Sequence, residues 1–179
     1  MVFKAFVANL GKYKEGELIG EWVEFPADED EFDEVLERIG VGLDFDKRYW
    51  DYFFSDYEYV DCPDFRFGEN ENFLTLNEVA EKIEDFDKWD MDKLHAIVEA
   101  WGTYEVLNYL DDFDIDDFNL YTDIEDEHDL GRYWVEESGC YDLKTLGNLA
   151  NYIDYEKFGR DIYLENNGSF TSYGYIERL

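Results

Sequence analysis

An acidic run in the second half of the chain sets the hardest condition on folding. The stretch DDFDIDDFNLYTDIEDEHD covers Asp111 to Asp129 and holds ten Asp or Glu among 19 residues, with no Lys or Arg. Like charges at this density repel one another and oppose a compact state. Six apolar or aromatic side chains are threaded through the same run: Phe113, Ile115, Phe118, Leu120, Tyr121 and Ile124. A stable fold must bury these side chains and keep the carboxylates in water.

The whole chain is acidic, yet it has the composition of a folded protein. Its 179 residues carry a formal net charge of −32, with 45% hydrophobic and 20% aromatic residues. Acidic disordered segments are poor in aromatics, so we interpret the chain as folded. No apolar run is long enough to span a membrane, and the N-terminus lacks a signal-peptide pattern. Two distant cysteines, Cys62 and Cys140, suit a cytoplasmic protein with reduced thiols.

The charge is concentrated in the middle of the chain. Residues 51–130 hold a net charge of −22, whereas the last 49 residues hold only −3. A compact protein of this size exposes about 9,000 Å², which gives roughly one carboxylate per 190 Å². Duplex DNA carries roughly one phosphate per 110 Å² of cylinder surface. An acidic face could therefore approach the charge density of DNA, repel nucleic acids and anionic membranes, and attract a basic partner.

Hydrophobic periodicity predicts an α+β fold with an α/β N-terminal module over residues 1–65. Apolar residues favour strands at 2–8, 19–25 and 49–60. Helical spacing of Phe32, Val35, Leu36 and Ile39, with acids in the first turn and Gly40 after the last, predicts a helix between them. The aromatic residues of 49–59 favour core packing over a base-stacking platform, because interleaved acids would repel a nucleic acid.

The rest of the chain divides into a helical acidic module, 66–112, and an α/β C-terminal module, 113–179. A capping-box pattern at Thr75 and Glu78 predicts the start of the first middle helix. Two further helices are expected before residue 112, with their acids on the outer faces. In the last module, short helices are expected within 125–163, and Asn167-Gly168 predicts a hairpin turn.

Candidate catalytic and metal sites find little support in the residues. Asp112, Asp114 and Asp116 match the start of an EF-hand loop, but Asp117 stands where that loop needs glycine. The two histidines and two cysteines show no metal-ligand spacing. With 47 acids, close carboxylate pairs are inevitable and do not indicate acid–base catalysis. We therefore expect a protein that is not an enzyme and that needs no cofactor or metal.

Three stretches resemble the ArdA family of antirestriction proteins. The first is ANLGKYKEGELIGEWVEFP at 8–26, and the third is NYIDYEKFGRDI at 151–162. The second, at 130–139, is similar to the family's antirestriction motif, with Trp134 where a tyrosine is usual. The residues of this motif are Leu130, Gly131, Arg132, Tyr133, Trp134, Val135, Glu136, Glu137, Ser138 and Gly139.

The resemblance implies a protein of mobile genetic elements that mimics DNA and occupies the DNA-binding groove of type I restriction-modification enzymes. It also implies an elongated fold and a homodimer formed through the C-terminal module. Tyr133 and Trp134 are expected to build core or dimer contacts more than enzyme contacts. The carboxylates expected to face the enzyme are Asp85, Asp87, Asp90, Asp92, Asp111, Asp112, Asp114, Asp116, Asp117, Asp123, Glu125, Asp126, Glu127 and Asp129.

Two other interpretations stay open at this point. A DNA mimic could act on a different basic partner, such as a histone-like protein, a repressor or another nuclease. A salt-adapted or calcium-binding protein would also be acidic, although salt adaptation does not call for so many aromatic residues.

Overall fold

A computed structural model of the chain describes residues 1–42, 47–107 and 112–179. It contains helices and two small antiparallel sheets, so the predicted α+β class is confirmed. The described residues fall into two compact units. The first unit draws on Met1–Met91 and Thr103–Asp111, and the second on Asp92–Gly102 and Asp112–Leu179. The division into three modules, at residues 65 and 112, stays a prediction.

The first unit is built on a three-stranded antiparallel sheet. Its strand order is β2-β1-β3, and the strands are β1 (Phe3–Asn9), β2 (Gly20–Phe25) and β3 (Tyr52–Tyr59). Helix α1 (Leu10–Lys14) connects β1 to β2. The buried side chain of Asn9 accepts a hydrogen bond from the Lys12 amide at 3.0 Å and donates one to the Ile39 carbonyl at 3.2 Å. The three strands overlap the predicted ranges 2–8, 19–25 and 49–60.

Aromatic side chains form a large part of the core of the first unit. The helices of this unit are α2 (Glu29–Arg38), α3 (Phe73–Ile83), α5 (Thr103–Leu107) and the start of α4 (Lys88–Trp101). The rings of Phe32 and Phe73 stack at 4.1 Å between centroids, and Phe25 lies 5.7 Å from Phe73. Phe53 and Phe54 are buried, so the aromatic stretch at 49–59 contributes to the core, as expected.

Helix α3 begins earlier than the capping-box pattern predicted. Its N-cap is Asn72, whose side chain accepts a hydrogen bond from the Leu74 amide at 2.8 Å. Phe73, the first helical residue, is buried in the aromatic core. The prediction of a cap at Thr75 was therefore wrong, because burial of Phe73 extends the helix by one turn.

The second unit contains the other sheet, with strand order β4-β6-β5. Its strands are β4 (Phe118–Tyr121), β5 (Gly168–Thr171) and β6 (Gly174–Arg178). Its helices are α6 (Glu127–Arg132), α7 (Leu143–Leu146), α8 (Tyr155–Glu165) and the part of α4 from Asp92 onward. Ile124, Leu130 and Tyr175 form a buried cluster between these elements.

The hairpin of the second unit turns at Ser172 and Tyr173 rather than at Asn167-Gly168. Gly168 instead starts β5, where a Cβ atom would lie 2.0 Å from the Tyr175 hydroxyl oxygen. Close packing against Tyr175 therefore explains this glycine, and the predicted turn position was wrong.

Helix α4 holds the hairpin turn in place. The Glu99 carboxylate accepts hydrogen bonds from the Ser172 amide at 2.8 Å and hydroxyl at 2.6 Å. The half-buried His95 ring stacks on Tyr173 at 5.1 Å between centroids, so it has a packing role. Burial lowers the pKa of His95, while the nearby Asp92 carboxylate opposes this effect.

Among the helices of the described ranges, none is both long and apolar enough to cross a membrane.

Candidate functional site

The acidic run, defined here as residues 112–129, separates its carboxylates from its apolar side chains. Phe113, Ile115 and Phe118 are buried in the second unit, as are Leu120 and Ile124. Seven carboxylates of the run are exposed and two are half-buried. The exposed ones are Asp112, Asp114, Asp116, Asp117, Asp123, Glu125 and Asp126, and the half-buried ones are Glu127 and Asp129. The run therefore folds because its apolar residues enter the core while its charges remain in water.

Local hydrogen bonds fix the path of the acidic run. Asp114 accepts a hydrogen bond from the Asp116 amide at 2.9 Å and caps a single 3₁₀ turn over 115–117. Asp126 accepts one from the Asp129 amide at 2.9 Å and caps α6. Acids in these positions satisfy free amide groups at the start of a turn or helix. The matched EF-hand positions are thus part of a turn that leads into β4.

Counter-charges offset only part of the negative charge. The Lys93 amine, on a side chain that is buried in α4, lies 3.9 Å from an oxygen of Asp116. The Arg132 guanidinium lies 3.7 Å from an oxygen of Asp129. The run has nine carboxylates and no Lys or Arg of its own. Each pair has one exposed partner, Asp116 in the first and Arg132 in the second, and such pairs at these distances contribute little, so the surface of the run stays strongly negative.

The other predicted carboxylates lie on the middle helices. Asp85 and Asp87 are exposed between α3 and α4, and Asp90 is half-buried in α4. These three belong to the first unit, while the half-buried Asp92 belongs to the second. Asp111 lies outside the described residues. All the acids of 112–129 belong to the second unit, where they form one continuous segment of the chain.

The motif at 130–139 packs against the core directly after the acidic run. It covers the end of α6, one π-helical turn over Tyr133–Glu137 and the two residues that follow. Leu130 and Val135 are buried, and Tyr133 and Trp134 are half-buried against the Ile124–Leu130–Tyr175 cluster. Arg132, Glu136, Glu137 and Gly139 are exposed, while Ser138 is half-buried.

Two glycines allow helices α6 and α8 to touch backbone to backbone. A Cβ atom on Gly131 would lie 1.9 Å from the Tyr155 carbonyl oxygen, and one on Gly159 would lie 1.7 Å from the Glu127 carbonyl oxygen. Gly131 comes from the motif, and Gly159 from the stretch 151–162 that also carries the family resemblance. The two stretches therefore meet where α6 and α8 cross. The sequence did not predict this contact.

A second contact joins the motif to α8. The Tyr155 hydroxyl donates a hydrogen bond to a carboxylate oxygen of Glu136 at 2.5 Å. This hydrogen bond raises the pKa of the Tyr155 hydroxyl. One of the two motif carboxylates is thus held by α8, and the surface that it contributes is ordered.

One group of side chains in the described ranges has the spacing of metal ligands. Potential ligand atoms of Asp126, His128 and Asp129 lie within 4.8 Å of one another at the surface. Exposed acids often cluster in this way without an ion, and Asp126 already caps α6. The geometry adds nothing that would favour a metal over solvent.

An exposed apolar segment follows the motif, at residues 141–152. Leu149 is 67% exposed and Tyr152 is 84% exposed, and Tyr141 and Leu146 are also exposed. Large apolar side chains grouped on a surface often mark a protein–protein contact. Its charge is low, with one acid and one base among these residues.

Comparison with protein families gives a match over almost the whole chain. The family model described as "Antirestriction protein (ArdA)" matches residues 5–177. Comparison with curated proteins gives no match. The chain belongs to the ArdA family of antirestriction proteins.

Proposed function

We propose that this ArdA-family protein inhibits type I restriction-modification enzymes by placing its carboxylates where the phosphates of DNA would bind. The carboxylates proposed to contact the enzyme are Asp85, Asp87, Asp90, Asp92, Asp111, Asp112, Asp114, Asp116, Asp117, Asp123, Glu125, Asp126, Glu127 and Asp129. The observation that carries the proposal is the separation of buried apolar and exposed acidic side chains along residues 112–129.

A fixed array of carboxylates can compete with DNA for the same basic residues. An enzyme that binds DNA presents Lys and Arg to phosphates, and its affinity falls steeply as salt rises. Carboxylates form charge-assisted hydrogen bonds with the same side chains. The array must be ordered beforehand, because ordering a flexible chain on binding lowers affinity. The caps at Asp114 and Asp126 and the buried residues of the run supply that order.

A mimic that carries only charge has no base edges to read. Phosphate contacts position a protein on DNA but carry no sequence information directly. A surface that imitates phosphates alone is therefore expected to inhibit enzymes that recognise different DNA sequences. This property suits a protein that protects DNA entering a new host.

The motif at 130–139 is assigned a positioning role in this proposal. Its glycine at 131 brings α6 against α8, and α6 carries Glu127 and Asp129 of the acidic run. Tyr133 and Trp134 pack on the core of the same unit. Glu136 and Glu137 extend the negative surface beyond the run.

We also propose that the protein forms a homodimer through the exposed apolar segment 141–152. The low charge of this segment would allow two copies to approach, whereas two acidic runs would repel each other. Burial of Leu149 and Tyr152 in a dimer would remove the apolar surface from water.

Charge reversal in matched sets tests the proposal. Asp112, Asp117 and Asp123 in the run would be changed singly and together to lysine; the control carries lysine at Glu31, Asp33 and Glu37, which are exposed in α2. All six side chains are exposed, and both triple variants have the same net charge.

The assay is DNA cleavage by a purified type I restriction enzyme. Each run variant should weaken inhibition about threefold to tenfold, with larger losses in combination, since a close charge pair in an interface contributes on the order of 1 kcal/mol or more. Equal loss in the run and control sets would show that net charge alone, and not this surface, determines inhibition. Complete loss from a single reversal, with the fold intact, would indicate a localised site instead of a mimic.

A further inference from the structure

A cleft in the second unit combines carboxylates with aromatic side chains. Its volume is about 480 Å³, which lies within the range of pockets that bind small ligands. Glu125, Asp126 and Glu127 line one part, and Glu156 at the start of α8 lines another. Tyr163 and Phe170 also line it, from α8 and β5, and His128 of α6 completes the lining. We call this cavity the acidic cleft.

Packing on the core holds the two aromatic rings of the acidic cleft in place. Tyr163 and Phe170 stack with 5.2 Å between centroids and an interplanar angle of 24°. Phe170 also lies 5.2 Å from Tyr175, a fully buried residue of the core cluster. Both rings are half-buried, so each packs on the core and still reaches the cleft. The aromatic surface is therefore preformed.

The carboxylates of the cleft are also held on ordered elements of the chain. Asp126 caps α6 through its hydrogen bond with the Asp129 amide. Glu127 and Glu156 lie in the first turns of α6 and α8. The N-terminal end of a helix is a favourable place for an acidic side chain. The lining holds four carboxylates, one histidine and no Lys or Arg, so carboxylates outnumber the basic side chains of the cleft and its potential is negative.

We infer that the acidic cleft binds one arginine side chain from the DNA-binding surface of the inhibited enzyme. This inference rests on the function proposed above. A guanidinium group is planar, stacks on aromatic rings and donates paired hydrogen bonds to carboxylates. It therefore matches both components of the cleft, whereas lysine offers a point charge and a metal ion would not use the aromatic rings. The cleft acts as a specific anchor within a surface whose other contacts are distributed.

Matched substitutions distinguish an anchor from distributed charge. Glu156→Gln removes a carboxylate of the cleft, and Glu165→Gln removes an exposed carboxylate on the same helix outside it. Phe170→Leu removes a ring of the cleft without changing charge, and Tyr173→Leu is its control on the same hairpin. Circular dichroism and thermal unfolding check the fold of every variant. Glu156 is exposed, so its variant tests the inference even if Phe170→Leu is unstable.

The measurement is the association and dissociation of each variant with a type I methyltransferase core, together with displacement of a DNA duplex. Close contacts act mainly on the dissociation rate, while peripheral charges act on the association rate. Glu156→Gln should raise the dissociation rate about tenfold, and Phe170→Leu about twofold to thirtyfold, as expected for a lost cation–π contact. Both controls should change it less than twofold.

The possible failures can be told apart. If the unmodified protein displaces DNA but each cleft variant behaves like its control, the arginine anchor is wrong and the mimicry proposal stands. If the unmodified, folded protein does not displace DNA at all, the proposed function fails, and the anchor fails with it.

Discussion

Replacing Gly131 by alanine should destabilise the second unit, although alanine is normally the better residue inside a helix. The added Cβ atom would lie 1.9 Å from the Tyr155 carbonyl oxygen and 2.8 Å from the Gly159 amide nitrogen. A carbon–oxygen contact is normally no closer than about 3.3 Å. Helices α6 and α8 would therefore have to separate by roughly an ångström or more, since both obstacles are backbone atoms.

The size of the effect follows from two opposing terms. Overpacking of this kind costs about 1–3 kcal/mol and sometimes more. Because the obstacles here are backbone atoms that cannot turn aside, the cost lies in the upper part of that range, at about 2–3 kcal/mol. The higher helix propensity of alanine offsets about 1 kcal/mol of this cost, because alanine restricts the unfolded chain and favours the helix. We therefore expect the free energy of unfolding to fall by about 1–2 kcal/mol, with a larger loss if the core cluster around Leu130 opens.

Urea unfolding followed by circular dichroism measures this change. Gly68→Ala is the control, because Gly68 is exposed, has no positive φ, and only the end of the Glu71 side chain lies within 4 Å of the added Cβ, at 3.5 Å. It should change the free energy of unfolding by less than about 0.5 kcal/mol. An unchanged or increased stability of Gly131→Ala would refute the close helix crossing, since propensity alone would then account for the result.

Two further predictions concern association and pH. Changing Leu149 and Tyr152 together to glutamate should shift the protein from dimer to monomer in sedimentation at micromolar concentration, whereas Leu74→Glu, an exposed change in α3, should not; a monomeric unmodified protein would contradict the dimer. Burial lowers the pKa of His95 in the folded state. The unfolded chain therefore binds a proton at this histidine more readily than the folded chain does, and the free energy of unfolding falls as pH falls below about 6.5. The stability of His95→Gln relative to the unmodified protein should therefore be constant above pH 7 and improve toward pH 5.5 in urea titrations; a difference that does not vary with pH would contradict this account.

The regular elements of the first unit could be predicted because local patterns and packing agree there. Phe32 and Val35 face the core at helical spacing, and Asp28 caps the helix that they define. The capping box at Thr75 predicted the helix start in the wrong place, because burial of a nearby side chain outweighs a local hydrogen-bond pattern. Phe73 gains more by entering the aromatic core than the chain gains from the later cap.

The candidate site shows a similar limit. The acidic run and the motif could be identified from the sequence, because charge density and a family pattern are local features. The crossing of Gly131 with Gly159 joins residues 28 positions apart, and the acidic cleft joins α6, α8 and β5. Neither leaves a local signal beyond two glycines inside helical stretches. Asn167-Gly168 likewise resembled a turn, because a glycine needed for contact with Tyr175 cannot be distinguished from a turn glycine by sequence alone.

The acidic run shows how a protein can keep a high charge density without losing its fold. Burial of a large apolar side chain stabilises by about 1.5–3 kcal/mol, and the run places five such residues in the core. Repulsion between exposed carboxylates is weaker for each pair, because water and salt screen it. The apolar residues therefore hold in place the charges that would otherwise drive the segment apart.

Competition with DNA tests the central proposal most directly. A type I methyltransferase core would be bound to a labelled duplex and titrated with this protein at two salt concentrations. The proposal predicts displacement of the duplex at near-stoichiometric amounts, with the affinity of the protein for the enzyme falling as salt rises. Failure to displace the duplex at a large excess of folded protein would contradict it.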